Sequence, residues 1–268
     1  MSDDARRRLV LWIEYEGTEF NGWQFQPGQR TVQSEIEDAL ATMCGEPVRI
    51  IASGRTDSGV HALAQVAHFN TSSPLCPKKF RLGLNSILER DISIVDCREA
   101  IGPFHAQYDA IRKTYRYRIL TRKAPSAVRR NQVWHHKRKL DVPSMQRGAA
   151  LLVGEHDFAS FAPERVEVSS TVRRLERLDV FEAEDEIHVV ATAGGFLRFM
   201  VRNIVGTLAE VGRGERPAES FREILEARDR NRAGLRAPAQ GLCLVAVDYG
   251  DKLPPPADEG EADPDEAT

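Results

Sequence analysis

The order of apolar runs along the chain predicts an α+β fold built from two ferredoxin-like βαββαβ halves, with helices packed on mixed or antiparallel sheets. Three observations carry this expectation. The runs alternate between strand and helix spacing in the order β-α-β-β-α-β. The second half of the chain repeats that order, although no repeat is visible residue by residue. The chain has 268 residues, 41% of them hydrophobic and 29% charged, enough for one large or two small domains with a core.

Leu9 to Tyr15 is apolar and β-rich and reads as a strand. A turn-rich segment with Gly17, Asn21, Gly22, Pro27 and Gly28 follows it. Thr31 is a good N-cap for a helix whose apolar face is Val32, Ile36, Ala39, Leu40 and Met43, and Gly45 stops it. Pro47 to Ser53 and His61 to Phe69 read as strands around a glycine-bounded loop. Phe80, Leu84, Ile87 and Leu88 keep helical spacing, and Ile92 to Cys97 returns as strand.

In the second half, Thr114 to Thr121 alternates, with Tyr115, Tyr117 and Ile119 on one face and Arg116 and Arg118 on the other. Pro143 opens a helix that ends before Gly154. Strands are expected around Leu175 to Phe181 and Ile187 to Ala193. Phe199, Met200, Asn203, Ile204 and Leu208 mark a helix ended by Gly212, Pro217 begins another, and Gly241 to Tyr249 is the last strand. The division is 1–105, 106–250, and an acidic, proline-rich tail over 251–268 that is expected to be disordered.

Composition excludes several classes. The longest stretch without a charged residue, Ser58 to Pro77, contains His61, Gln65, His68 and Asn70 and is too polar for a membrane span. The opening MSDDARRR has no apolar core and reads as no secretion signal, so a cytoplasmic protein is expected. Cys44, Cys76, Cys97 and Cys243 never form a C-x-x-C pair, which leaves zinc-ribbon and redox-motif readings without support. His61 and His68 alternate along a strand with no third ligand near, so no metal is expected. The net charge is −3, but the last eighteen residues hold seven acids and one lysine, so residues 1–250 carry +3. Within them, Ile111 to Lys139 has eleven Lys or Arg and no acid, a candidate nucleic-acid surface.

The densest polar cluster is Ser53-Gly54-Arg55-Thr56-Asp57-Ser58-Gly59-Val60-His61, between two predicted strands. Its glycines allow close backbone approach, and Arg55 and Asp57 place a cation and a carboxylate on one loop. A turn in which Asp57 caps its own backbone would use the same residues. No G-x-S-x-G, P-loop or G-x-G-x-x-G is present.

The segment GRTDSGVHALAQVAHF resembles the active-site motif of the tRNA pseudouridine synthase A (TruA) family. The likeness continues in YEGTEFNGWQFQPGQRTVQSEIEDAL, FHA, KTYRY, GGFLRFMVRNIVGTLAEVG and APAQGLCLVAVDY, in the family's order. The resemblance implies isomerisation of uridine to pseudouridine at positions 38 to 40 of the tRNA anticodon stem-loop, in a cleft between the halves, by a homodimer. It implies that Asp57 is the catalytic aspartate, that Tyr115 packs on the target uracil and that Arg202 pairs with the aspartate. Arg55 corresponds to an arginine that holds the flipped nucleotide, and Leu242 to an apolar residue lining the pocket. Gln107 departs from the pattern, since the family often has arginine after FHA.

The implied reaction breaks C1′–N1, turns the base and rejoins it through C5. No atom is gained and no electron is exchanged, so no cofactor is required. A carboxylate near the ribose is needed, as nucleophile at C1′ or base at C2′, and both remain open for Asp57. A neighbouring arginine would keep it ionised. A flipped uracil needs its stacking replaced, a task for Tyr115. The phenol is also a candidate acceptor of the C5 proton. Arg112, Lys113, Arg116 and Arg118 head the basic stretch and are expected at the RNA backbone. His135 and His136 suit either RNA contact or ordinary strand packing.

Overall fold

Every element expected from the spacing is present in the computed structural model, which describes residues 6–165, 168–253, 255 and 256. The first half contains β1 (Arg7–Tyr15), α1 (Val32–Cys44), β2 (Ile51–Ala52), β3 (His61–Thr71), α2 (Pro77–Ile87) and β4 (Ile92–Glu99). The second contains β5 (Arg112–Leu120), β6 (Trp134–His135), α3 (Val142–Ala150), β7 (Gly154–Asp157), β8 (Val172–Ala183) and β9 (Glu186–Ala193). It closes with α4 (Met200–Gly212), α5 (Ser220–Ala227) and β10 (Leu242–Asp248). The short strands β6 and β7 are additions to the expected order.

Local chemistry explains the boundaries. Thr31 caps α1 through a reciprocal pair with Ser34, and Gly45 ends that helix in the left-handed conformation at φ 71°. Asp141 caps α3, one residue before the helix begins. The strand expected over 47–53 shrinks to two residues. Side chains of α1 take over its backbone instead: the Ile50 amide donates to Glu37 (3.0 Å) and Gln33 donates to the Ile50 carbonyl (3.4 Å).

All ten strands belong to one sheet, in the order β4-β1-β3-β10-β5-β9-β8-β7, with β2 added on β3 and β6 on β5. Each half keeps the same internal order: last strand, first, third, second. The halves therefore share a single sheet rather than carrying one each. The seam is a short parallel pairing of β3 with β10, His61 opposite Cys243 and Ala62 opposite Leu244.

The helices cover one face over a continuous core. Leu9, Leu11, Ile13 and Tyr15 of β1 point into it. Val10 and Trp12 point the other way and are covered by Phe104, Ala106, Tyr249 and Leu253. With both faces dry over Leu9–Ile13, this run of β1 is apolar throughout rather than alternating. Leu253 belongs to the stretch assigned to the tail. Gly250–Lys252 forms a 3-10 turn that brings this leucine onto the sheet, and burial of its side chain holds it there. The rest of the expected disordered tail, apart from 255 and 256, lies outside the described residues.

The two strand histidines serve the backbone. His61 Nδ1 accepts from the Gly17 amide (2.9 Å) and His68 Nδ1 from the Ala106 amide (3.1 Å). Burial and the nearby Arg8 push His68 down to about 4. Among the described residues no group of three His, Cys, Asp or Glu could hold a metal, and no helix is long and apolar enough to cross a membrane.

Candidate active site

The seam brings the candidate site residues together. Because β3 and β10 run parallel, the segments that precede them emerge side by side at one end of the sheet. One is the loop 53–60 and the other is the strap 235–241. His61 Nε2 lies 3.2 Å from the Gln240 carbonyl oxygen, a direct tie between the two.

The loop is braced from three sides. Ser53 donates to Gln65 (2.7 Å), and Gln65 donates to the Gly54 carbonyl (2.9 Å). The Trp23 amide donates to the Thr56 carbonyl (3.1 Å), and Tyr15 and Thr56 share a hydroxyl hydrogen bond of 2.7 Å. Gly22 packs so tightly that a Cβ there would sit 2.7 Å from the Thr56 oxygen. Asp57 opens a β-turn closed by the Val60 amide (3.1 Å), with Gly59 at φ 77° in the third position. The Asp57 carboxylate does not cap this turn. It crosses to α4, where Oδ2 accepts from Arg202 Nη1 at 3.2 Å.

Arg202 is held from the strap. Its Nε donates to the Ala237 carbonyl (2.8 Å), and the Ala237 amide donates to the Arg202 carbonyl (3.1 Å). This close approach depends on Gly206, one turn further along α4, where a Cβ would overlap the Leu235 carbonyl oxygen. Gly206→Ala is therefore expected to destabilise the fold by about 1–3 kcal/mol and to lower activity by displacing Arg202. Urea unfolding alongside turnover checks this, and an unchanged midpoint would contradict it.

Tyr115 completes the cluster from β5. Ala62, Leu244 and Tyr115 lie in one row across β3, β10 and β5, and Tyr15 of β1 faces Ala62 in the same row. Tyr115 is 8% exposed, and its ring meets Phe196 edge-on at 5.2 Å. Leu242 is buried at the start of β10, opposite Tyr117.

Electrostatics at Asp57 differ from the sequence expectation in sign. Burial raises its carboxyl above the ordinary 3.8, while Arg202, Arg198 and Arg236 pull the other way without overcoming it. Arg202 reduces a desolvation cost rather than producing a strongly acidic group. Burial also pushes the Tyr115 phenol up, and the neighbouring Tyr15 and Asp57 add to the rise.

The remaining sequence candidates divide. Arg55 is exposed on the loop 53–60 and makes no hydrogen bond or ion pair among the described residues. Lys113 shares the face of Tyr115 and lies against Gly54, and its burial lowers the ammonium pKa. Arg116 points to the opposite face, its buried Nε without a hydrogen-bond partner. Arg118 is clamped to the buried Glu186 by bonds of 2.7 and 2.8 Å, and Arg112 pairs with Asp248 at 3.0 Å. Arg129 of the basic stretch is likewise held by Asp185. Four of its eleven basic residues, Arg112, Arg118, Arg122 and Arg129, thus pair with acids of the β8–β9 hairpin, which the linear charge pattern does not show. His135 and His136 also bond to backbone carbonyls, those of Arg122 and Arg138. Conversely, Tyr15, Gln65, Phe196, Phe199 and Arg236 reach the site without having been singled out. A tyrosine ending an apolar strand and an arginine in a loop carry no pattern that would flag them.

Comparison with known proteins defines the class first. A family model described as tRNA pseudouridine synthase matches residues 11–109 and 149–250, an extent that includes Arg55, Asp57, Arg202 and Leu242 and leaves Tyr115 in the interval between. Such proteins are enzymes of the isomerase type. Within that class, the chain belongs to the tRNA pseudouridine synthase A family. It is 45% identical over 239 residues to "tRNA pseudouridine synthase A" of Syntrophotalea carbinolica, covering 89% of this chain and 95% of the relative. It is 43% identical over 243 residues to "tRNA pseudouridine synthase A 2" of Clostridium perfringens, covering 91% and 100%. The protein of that family from Geotalea uraniireducens is 45% identical over 243 residues, again covering 91% and 100%.

Proposed function

We propose that this chain converts uridine to pseudouridine in the anticodon stem-loop of tRNA, at positions 38 to 40, with Asp57 acting at the ribose and no cofactor. The observation that carries the reading is the Asp57 carboxylate, carried on a loop of one half of the chain and paired at 3.2 Å with Arg202 on α4 of the other. Tyr115 completes the cluster, its phenol pushed up by burial, with Tyr15 and the Asp57 charge adding to the rise. The reaction moves a base from N1 to C5 within one nucleotide, so a carboxylate at the sugar and a surface that holds the detached uracil suffice. The choice of stem-loop positions rests on the motif resemblance. A homodimer with tRNA lying across both subunits, working in the cytoplasm, is the assembly that goes with it. In this reading 1–105 and 106–250 are the two walls of the cleft.

Tyr115 supplies stacking in this reading rather than proton transfer. A phenol raised by burial and by a neighbouring carboxylate is a poor acceptor for the C5 proton. Tyr115→Phe keeps the ring and is expected to retain activity within about tenfold. Tyr115→Ala loses the stacking of about 1–3 kcal/mol per base, roughly a further 10- to 100-fold. Phe and Ala variants of equal, strongly reduced activity would assign the hydroxyl a chemical role.

The function itself is tested by tritium release from unmodified tRNA carrying [5-³H]uridine, with mapping of the modified positions. Release together with pseudouridine at 38 to 40 is the expected result. Free uracil would identify a glycosidase-like enzyme. Salt-sensitive tRNA binding without product would identify a binding module.

A further inference from the structure

We propose that Arg236 and Arg198, laid against the ring of Phe199, form a subsite for a phosphodiester flanking the target uridine. The proposal rests on the pseudouridine synthase reading and adds to it a site that the sequence motifs do not mark.

Phe199 immediately precedes α4 and has φ 63° and ψ −2°, a left-handed conformation that bulky residues rarely adopt. The surrounding packing must hold it there. Three guanidinium groups surround its ring, with Cζ-to-centroid distances of 3.8 Å for Arg236, 4.6 Å for Arg198 and 5.6 Å for Arg202. Contact with an aromatic face orients a guanidinium while leaving its N–H edge available.

Arg202 is already engaged by Asp57 and the Ala237 carbonyl. Arg198 and Arg236 are both exposed, and neither makes a hydrogen bond or ion pair among the described residues. Around Phe199 there are thus three cations and one carboxylate. Arg230 also bears on Arg236, and its own bonds go to the Ala233 and Gly234 carbonyls and to Asn203. The excess positive charge is built into the site and calls for an anion.

The anion is identified by its chemistry and its place. Arg198 and Arg236 share the Phe199 ring with Arg202, which holds Asp57 at 3.2 Å, so a group bound between them sits at the same ring as the partner of the carboxylate assigned to the ribose. A nucleotide carries its phosphates on the 5′ and 3′ oxygens of that same ribose. Paired guanidinium edges match phosphate oxygens as a point charge would not. Binding there would fix the sugar against Asp57 while the base turns.

The test compares wild type, Arg236→Gln and Arg236→Lys on tRNA stem-loops, with Arg177→Gln, an exposed arginine of β8 paired with Asp179, as a control. Arg236→Gln is expected to raise KM by about tenfold or more with kcat held within about twofold. The slope of log kcat/KM against log salt should become shallower by about 0.7–0.9, the contribution of one phosphate contact. Arg236→Lys should restore the salt slope, and Arg177→Gln should change neither quantity.

A second measurement replaces each flanking phosphodiester in turn by a neutral methylphosphonate, with 2′-O-methylation of the preceding nucleotide to protect the linkage, each compared with the same 2′-O-methylated stem-loop carrying the ordinary phosphodiester. In wild type one replacement should cost about tenfold in kcat/KM, and in Arg236→Gln that same replacement should cost almost nothing. Equal losses in both proteins, or an unchanged salt slope in Arg236→Gln, would overturn the subsite. A merely structural role for Arg236 would lower the melting temperature and leave the salt slope alone. Wild type that releases no tritium from any tRNA would sink the functional reading itself, a result separate from an active wild type matched by its Arg236→Gln variant.

Discussion

Asp57→Asn is expected to lose tritium release from [5-³H]uridine tRNA by about 10⁴-fold or more while remaining folded. Either proposed role, nucleophile at C1′ or base at C2′, requires an ionised carboxylate that the amide cannot supply. The same substitution should leave the melting temperature unchanged or raise it at neutral pH. Burial lifts the folded-state carboxyl above its ordinary 3.8, so the folded chain holds the proton more tightly than the unfolded chain does. Stability is therefore lost as pH rises from 3.8 through the raised value, and above that window the cost is complete. Asparagine has no charge to desolvate and removes that cost. Calorimetry and the tritium assay on one preparation separate the two effects. Substantial activity in Asp57→Asn would remove this residue from the chemistry.

Arg202→Met is the second large effect, about 10²- to 10³-fold in kcat/KM at neutral pH. Two consequences combine. The main attraction opposing the desolvation of Asp57 disappears, so its carboxyl rises further and the acid limb of the pH–rate profile moves to higher pH. The bond from Arg202 Nε to the Ala237 carbonyl is also lost, which loosens the strap against α4. Protonation of Asp57 limits the stability loss to below the about 3–5 kcal/mol typical of a stranded buried charge. Arg202→Lys restores the charge without the fork geometry, so it should recover much of the pH shift and only part of the rate. An acid limb that stays in place in Arg202→Met would show that this arginine does not set the ionisation of Asp57.

The helices and most strands were legible because each rests on local chemistry. The Thr31 cap, the Gly45 terminus and the apolar spacing of Val32, Ile36 and Leu40 act within a few residues of each other. The loop around Asp57 stood out for a similar reason, since it concentrates glycines, a cation and a carboxylate between two strands. The shortened β2 was not legible, because its backbone partners are side chains seventeen and thirteen positions earlier in sequence number, Gln33 and Glu37. The charge state of the basic stretch was hidden for the same reason. Arg118 and Glu186 are 68 positions apart, and only the pairing of β5 with β9 makes them neighbours.

The sequence by itself determined the order of elements, the capping of α1 and the residues that resemble the family's motifs, all of which depend on spacing and residue type along the chain. Tertiary structure alone decided that the two halves share one sheet, since a parallel seam of two residue pairs leaves no periodic mark. It also decided the sign of the shift at Asp57 and the gathering of Arg198, Arg202 and Arg236 around Phe199. Both depend on burial and on charges brought close through space, and distance through space is set by packing rather than by position in the chain.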